Sequence, residues 1–124
     1  MRSARAALAG LAALAVLSAC AATPAPPPPP AGPQAITTEA AFRDRVAGRD
    51  LIEEETGARL RIAGNGSWIE RRANHVVASG VWAWIGAQWC HEGRRDGRLY
   101  PRRCEGVVQD GPRLSLGPRR LTLR

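Results

Sequence analysis

Lysine is missing from this 124-residue chain, so all eighteen basic side chains are arginine, and histidine occurs only at His75 and His91. Alanine, glycine and proline are abundant, and the arginine bias reads as a GC-rich coding preference; arginine at any one position therefore carries little information. The scarcity of metal-binding residue types argues against most cofactor chemistry. Zinc needs three or four ligands, whereas Cys90, His91, Cys104 and His75 show neither CxxC nor HxxxH spacing. The acidic run Glu53-Glu54-Glu55 has no second acidic cluster with which to build a calcium or glycosidase site, and reads as a solvated loop. Gly64-Asn65-Gly66 lacks the third glycine of a dinucleotide fingerprint and leads into a strand pattern, which makes it turn chemistry. Cys90 beside His91 suggests a nucleophile and its base, but successive strand residues face opposite sides. No catalytic residue, metal or cofactor is expected. Long hydrophobic runs are also scarce: Ala6 to Val16 is about a dozen residues, short of the roughly 20 that span a bilayer.

That run follows Met1, Arg2 and Arg5, has the proportions of a signal peptide, and closes with Leu17-Ser18-Ala19-Cys20, which resembles the lipobox of bacterial lipoproteins. The resemblance implies cleavage before Cys20, lipidation of its sulfur and acylation of the new amine. Several acyl chains anchor stably, since each buried methylene contributes about 0.8 kcal/mol. An ordinary cleaved signal with a coincidental cysteine is the other reading. Ala21, where an aspartate would mark inner-membrane retention by analogy with enteric sorting, favours the outer membrane facing the periplasm. The expected organisation is a signal peptide at 1–19, a lipidated cysteine with a proline-rich tether at 20–36, and one small domain at 37–124. The charge of +7 and pI near 11.1 give an envelope protein anionic partners: lipid headgroups, lipopolysaccharide or peptidoglycan carboxylates. Nucleic acid is not expected, and generic solubilising charge is the alternative.

Pro24-Ala25-Pro26-Pro27-Pro28-Pro29-Pro30-Ala31-Gly32-Pro33 predicts polyproline II, in which ten residues span on the order of 30 Å, a spacer between anchor and domain. Beyond it, Thr37-Thr38-Glu39, Phe42 and Val46 at i,i+4 spacing, and Gly48 predict a short capped helix. The pattern then changes to period two. Leu60 and Ile62 alternate with arginines, Gly64-Asn65-Gly66 forms a hairpin, and Val76 to Trp84 reads as a long strand with Gly80 as a bulge. Turns at Ile85-Gly86-Ala87 and Gln109-Asp110-Gly111-Pro112 and strands to Arg124 complete the series. The fold class is mainly β: a small antiparallel meander, barrel-like, preceded by one short helix.

With Cys20 assigned to lipid, Cys90 and Cys104 pair in an oxidising compartment. The loop they close carries Arg94, Arg95, Arg98, Arg102 and Arg103, the most basic stretch of the chain. It reads either as a binding element for an anion or as an ordinary charged hairpin tip. Four of the six aromatics are tryptophan. Trp82, Trp84 and Trp89 are either core fillers or an aromatic strip for sugar stacking or a protein partner.

Phe42, Val46-Ala47-Gly48-Arg49-Asp50-Leu51, Gly66, Gly80-Val81-Trp82-Ala83-Trp84 with Trp89-Cys90, Cys104-Glu105-Gly106-Val107 and Leu114-Ser115-Leu116 together resemble a family of small uncharacterised exported β-domain proteins of alphaproteobacteria. Its members have a G-x-W-x-W strand, a nearby Cys usually followed by Arg, and a second Cys in the next strand; here His91 stands at the Arg position. The resemblance covers Phe42 to Leu116 and implies a fold and a disulfide, not an activity. The expected function is a membrane-anchored lipoprotein with a non-catalytic envelope-binding or structural domain; the alternative is a periplasmic inhibitor of a hydrolase, protease or lysozyme type. Animal lysozymes are basic, so a basic inhibitor would be steered away from them.

Overall fold

Alternation of apolar and polar residues decides the architecture. The computed structural model describes residues 20–28 and 32–124; the signal-peptide reading of residues 1–19, and residues 29–31 of the proline-rich segment, lie outside the described residues. Residues 20–28 are exposed and without regular structure. The elements run β1 (Gln34–Ile36), α1 (Glu39–Arg45), β2 (Asp50–Glu53), β3 (Arg59–Ile62), β4 (Ser67–Arg72), β5 (His75–Ile85), β6 (Gln88–Arg95), β7 (Arg98–Glu105), β8 (Val107–Asp110), β9 (Arg113–Leu116) and β10 (Arg119–Leu123).

All ten strands join one antiparallel sheet in the order β1-β8-β9-β10-β2-β3-β4-β5-β6-β7. Two meanders, β2 to β7 and β8 to β10, are fused by the pairing of β10 with β2, where Leu121 faces Glu53 and Leu123 faces Leu51. The sheet is strongly curled. Gly106 alone links β7, at one end of the order, to β8, beside the other end, and its carbonyl accepts a hydrogen bond of 3.0 Å from Gly117 N. The mainly β meander is as the sequence implies, but the barrel is not closed: no ladder joins β7 to β1 or β8 among the described residues. The last strand carries Pro101, Arg102 and Arg103, and proline and charge are what discourage further pairing at an edge.

Two assignments shift. Gln34–Ile36 belong to the domain and not to the tether, because Ile36 is buried and the strand pairs with Val107–Gln109 of β8. Gly80 is no bulge; it sits in register opposite Gly93, and the irregularities fall between Glu70 and Arg71 and between His91 and Gly93.

The concave face gathers Ile36, Leu51, Leu60, Ile62, Trp68, Trp82, Trp89, Val107, Leu114, Leu116 and Leu121 into one core. The helix covers one end of it. Thr38 caps the helix by accepting from Ala41 N, and Phe42 and Val46, both fully buried, point inward from the i,i+4 face. The Phe42 ring centre lies 5.3, 5.1 and 6.5 Å from those of Trp82, Trp84 and Trp89. Burying this much aromatic surface is the main stabilising term available to so small a domain.

Candidate functional site

The uncovered end of the curl is polar, and strand register explains why. Reading across the concave face, Leu60 is opposite Glu70, Glu70 opposite Ala78, Ala78 opposite Arg95, and Arg95 opposite Arg98. Small Ala78 leaves room for Arg95 to reach over β5 to Glu70. Its guanidinium donates two hydrogen bonds, Nη1 to Oε1 at 3.2 Å and Nη2 to Oε2 at 2.8 Å. Arg119 of β10 crosses the interior to donate a third, at 3.3 Å, and also donates to Glu53 Oε1 at 2.7 Å. The Thr56 hydroxyl donates to the other Glu53 oxygen. Glu70 is 1% exposed, a burial tolerable for a carboxylate only because it is paired and hydrogen-bonded.

Burial pushes the Glu70 carboxyl up, but the hydrogen bonds from Arg95 and the charges of Arg119 and Arg95 outweigh it and hold it below the ordinary range. Glu53 follows the same balance: desolvation raises it, while Thr56, Arg119 and the charge of Arg72 bring it down overall. The bond to Glu70 raises Arg95 further above its already high value.

These residues floor a cavity of about 340 Å³ lined by four guanidiniums, from Arg72, Arg95, Arg103 and Arg119, against three carboxylates, from Glu53, Glu70 and Glu105, together with Thr56, Tyr100 and Pro118. Tyr100 lies between two arginines, with the Arg95 and Arg103 guanidinium carbons 5.4 and 5.2 Å from its ring centre. Behind it an aromatic stack runs into the core. His91 lies 5.4 Å from Tyr100 and 3.9 Å from Trp89, and its Nε2 is 3.2 Å from Glu105 Oε2. Trp68 stands edge-on to His91 and sends its Nε1 hydrogen to Val81 O at 3.1 Å and Glu92 O at 3.2 Å. The second carbonyl belongs to Glu92, which the bulge leaves out of the β6–β7 register on the β6 side.

Strand parity sorts the residues singled out in the sequence. Cys90 and His91 do point to opposite faces: Cys90 bonds Cys104 directly across β6–β7 on the convex side, with Cα atoms 4.0 Å apart, while His91 is buried inside. The basic stretch is not one patch. Arg95 and Arg103 turn into the cavity; Arg94 and Arg102 lie on the convex face, where Arg102 pairs with Glu92 at 3.0 Å, and exposed Arg98 sits at the hairpin end. The aromatic strip does not form a surface: Trp82 and Trp89 are 7% and 0% exposed and Trp84 is half-buried, because their parity sends them toward Phe42. Cys20 is exposed and outside any disulfide.

Glu70, Arg72 and Arg119 were not singled out by composition or motif, and Glu53, read with Glu54 and Glu55 as a solvated loop, is instead buried at the end of β2, where Arg119 and Thr56 bond it. A signal did exist: Glu70 falls two residues after Trp68, and Glu53 two after Leu51, so each carboxylate occupies an inward position of its strand. Among the described residues no group of three or more His, Cys, Asp or Glu could hold a metal ion, and no helix is long and apolar enough to cross a membrane. No family model, curated protein or solved structure matches this chain.

Proposed function

We propose that this chain is a lipid-anchored protein of the bacterial cell envelope, held in the outer membrane through Cys20, whose small β-domain binds an anionic envelope component and performs no chemistry. The observation that carries the reading is the stapled β6–β7 hairpin, which presents exposed Arg94, Arg98 and Arg102 beside Leu99, itself 80% exposed. A cross-link that fixes the two strands lowers the entropy cost of presenting those guanidiniums to a partner. A proline-rich spacer ahead of the domain fits a module that must stand away from its anchor.

Co-sedimentation of the soluble form, residues 21–124, with lipopolysaccharide and with phosphatidylglycerol vesicles tests this. Binding should fall steeply between low and physiological salt, as exposed charge pairs do, and R94S/R98S/R102S should abolish most of it. Stoichiometric capture of one hydrolase with little salt dependence would replace this reading with the inhibitor one.

A further inference from the structure

Resting on that reading and naming its partner, we propose that the convex face of β4 to β7 docks on an anionic lipid bilayer, with Val81, Ile85 and Leu99 entering the acyl boundary and arginines held at the headgroups. Apolar exposure is concentrated on this face. Of the large hydrophobic side chains left exposed among the described residues, Val76, Val81 and Ile85 belong to β5 and Leu99 to β7, and only Val108 lies elsewhere, on β8. Strand register puts them side by side. Val81 is opposite Glu92, Ala83 opposite Cys90 and Cys90 opposite Cys104, so exposed Val81, Ala83 and Ile85 follow one another along β5 beside the disulfide. The neighbouring row crosses five strands through Arg61, Ile69, Ser79, Arg94 and Leu99. The helix does not cover this side, because Phe42 and Val46 seat it against the concave core. A contiguous apolar surface of this kind marks an interaction site.

Charge selects a bilayer over a second copy of the chain. The outward positions of β4 to β7 carry Arg71, Arg94 and Arg102 against one carboxylate, Glu92, which Arg102 already pairs at 3.0 Å. Two copies face to face would bring the uncompensated arginines together, whereas anionic headgroups neutralise them. Aliphatic side chains among arginines also have the composition of an interfacial seat, in which the apolar part enters the acyl boundary while long basic side chains reach the headgroups. The anchor permits the orientation. Thirteen residues separate Cys20 from Gln34 and can span at most about 45 Å, more than the roughly 30 Å width of a domain this size, so the domain can turn this face to the leaflet that holds the lipid.

The test puts an environment-sensitive dye on single cysteines of the 21–124 form, with the Cys90–Cys104 bond intact. The labelled variants are V81C, L99C and, as a control, S115C on β9, five places from β5 in the ten-strand order. Val81 and Leu99 are 56% and 80% exposed, so the core does not depend on them. On phosphatidylglycerol vesicles the dye at 81 and 99 should shift to the blue and the dye at 115 should not. Unlabelled V81S/I85S/L99S should sediment with these vesicles at least about tenfold more weakly, because the insertion of three aliphatic side chains is lost. Vesicle binding that needs Arg94, Arg98 and Arg102 but leaves the dye at 81 and 99 unshifted would overturn docking and leave the arginine reading standing. Sedimentation with lipopolysaccharide but not with phosphatidylglycerol vesicles would do the same, whereas binding to neither would overturn both readings. A dye at 115 that shifts as far as the one at 81 would contradict the proposed face. A shift at 81 that follows protein concentration without vesicles would give the face to a second copy and overturn the bilayer.

Discussion

Glu70 is the residue on which the polar end of the domain turns. Its carboxylate is 1% exposed and holds Arg95 and Arg119, whose side chains are 30% and 20% exposed. E70Q keeps the shape, leaves Arg95 without its counter-charge and leaves Arg119 with Glu53 alone. Breaking a fully buried pair costs about 3–5 kcal/mol; with these arginines partly solvated the expected loss is about 2–3 kcal/mol, read from urea unfolding of the 21–124 form. The same residue sets an acid limit. Glu70 and Glu53 have folded-state values below their ordinary ones, so the folded state binds fewer protons. Their contribution is complete above about pH 4.5, the range where the unfolded carboxyls titrate, and is lost as pH falls through the depressed values. Thermal midpoints measured from pH 7 to pH 3 should therefore drop on the acid side, and E70Q should flatten that limb. An E70Q profile parallel to the parent's would show that the network contributes nothing to acid sensitivity.

At the scale of elements, the β5–β6–β7 sheet depends on close backbone approach and on the staple. A Cβ built on Gly80 falls 1.8 Å from Glu92 O, and one on Gly93 falls 2.0 Å from Ser79 O. G80A must push β5 from β6 and disturb the Trp68 bonds to Val81 and Glu92. The expected cost is about 2–3 kcal/mol, at the upper end of ordinary overpacking, with altered indole fluorescence as a second readout. Removing the disulfide in C90S/C104S opens a connection with a sequence separation of 14, for which the chain-entropy model gives about 3 kcal/mol. A change of under 0.5 kcal/mol in denaturant unfolding would mean that the strand pairing alone holds the hairpin.

Elements were also what the sequence announced most clearly. Thr38, Phe42 and Val46 marked the helix, paired glycines and asparagine marked the turns, and two cysteines marked the staple. Gln34–Ile36 escaped because three residues beside a proline run carry no periodicity; their strand character comes from the distant partner Val107–Gln109. The cavity was only half legible for a related reason. Parity places Glu53 and Glu70 inward, but their convergence with Arg119 depends on how far the sheet curls, and no local pattern records curl.

For the whole molecule, the two ends of the curled sheet divide the work. One is filled by Phe42 and the tryptophans and supplies the packing. The other is left to arginines and carboxylates, a cavity floored by the Glu70–Arg95–Arg119 network. The convex face carries the disulfide together with Arg94 and Arg102. Because the exposed arginines of the proposed surface sit on β6 and β7, a variant that loosens the hairpin, such as C90S/C104S, should weaken vesicle binding in paired titrations with the parent.

The proposed function puts the domain in the envelope on a lipid anchor, and the intact mass of the protein purified from native membranes, with and without reduction and alkylation, tests that proposal most directly. The account predicts a chain beginning at Cys20, carrying diacylglycerol and an acylated amine, with two alkylatable thiols that appear only after reduction. An unlipidated chain whose Cys90 and Cys104 are alkylated without reductant would contradict it.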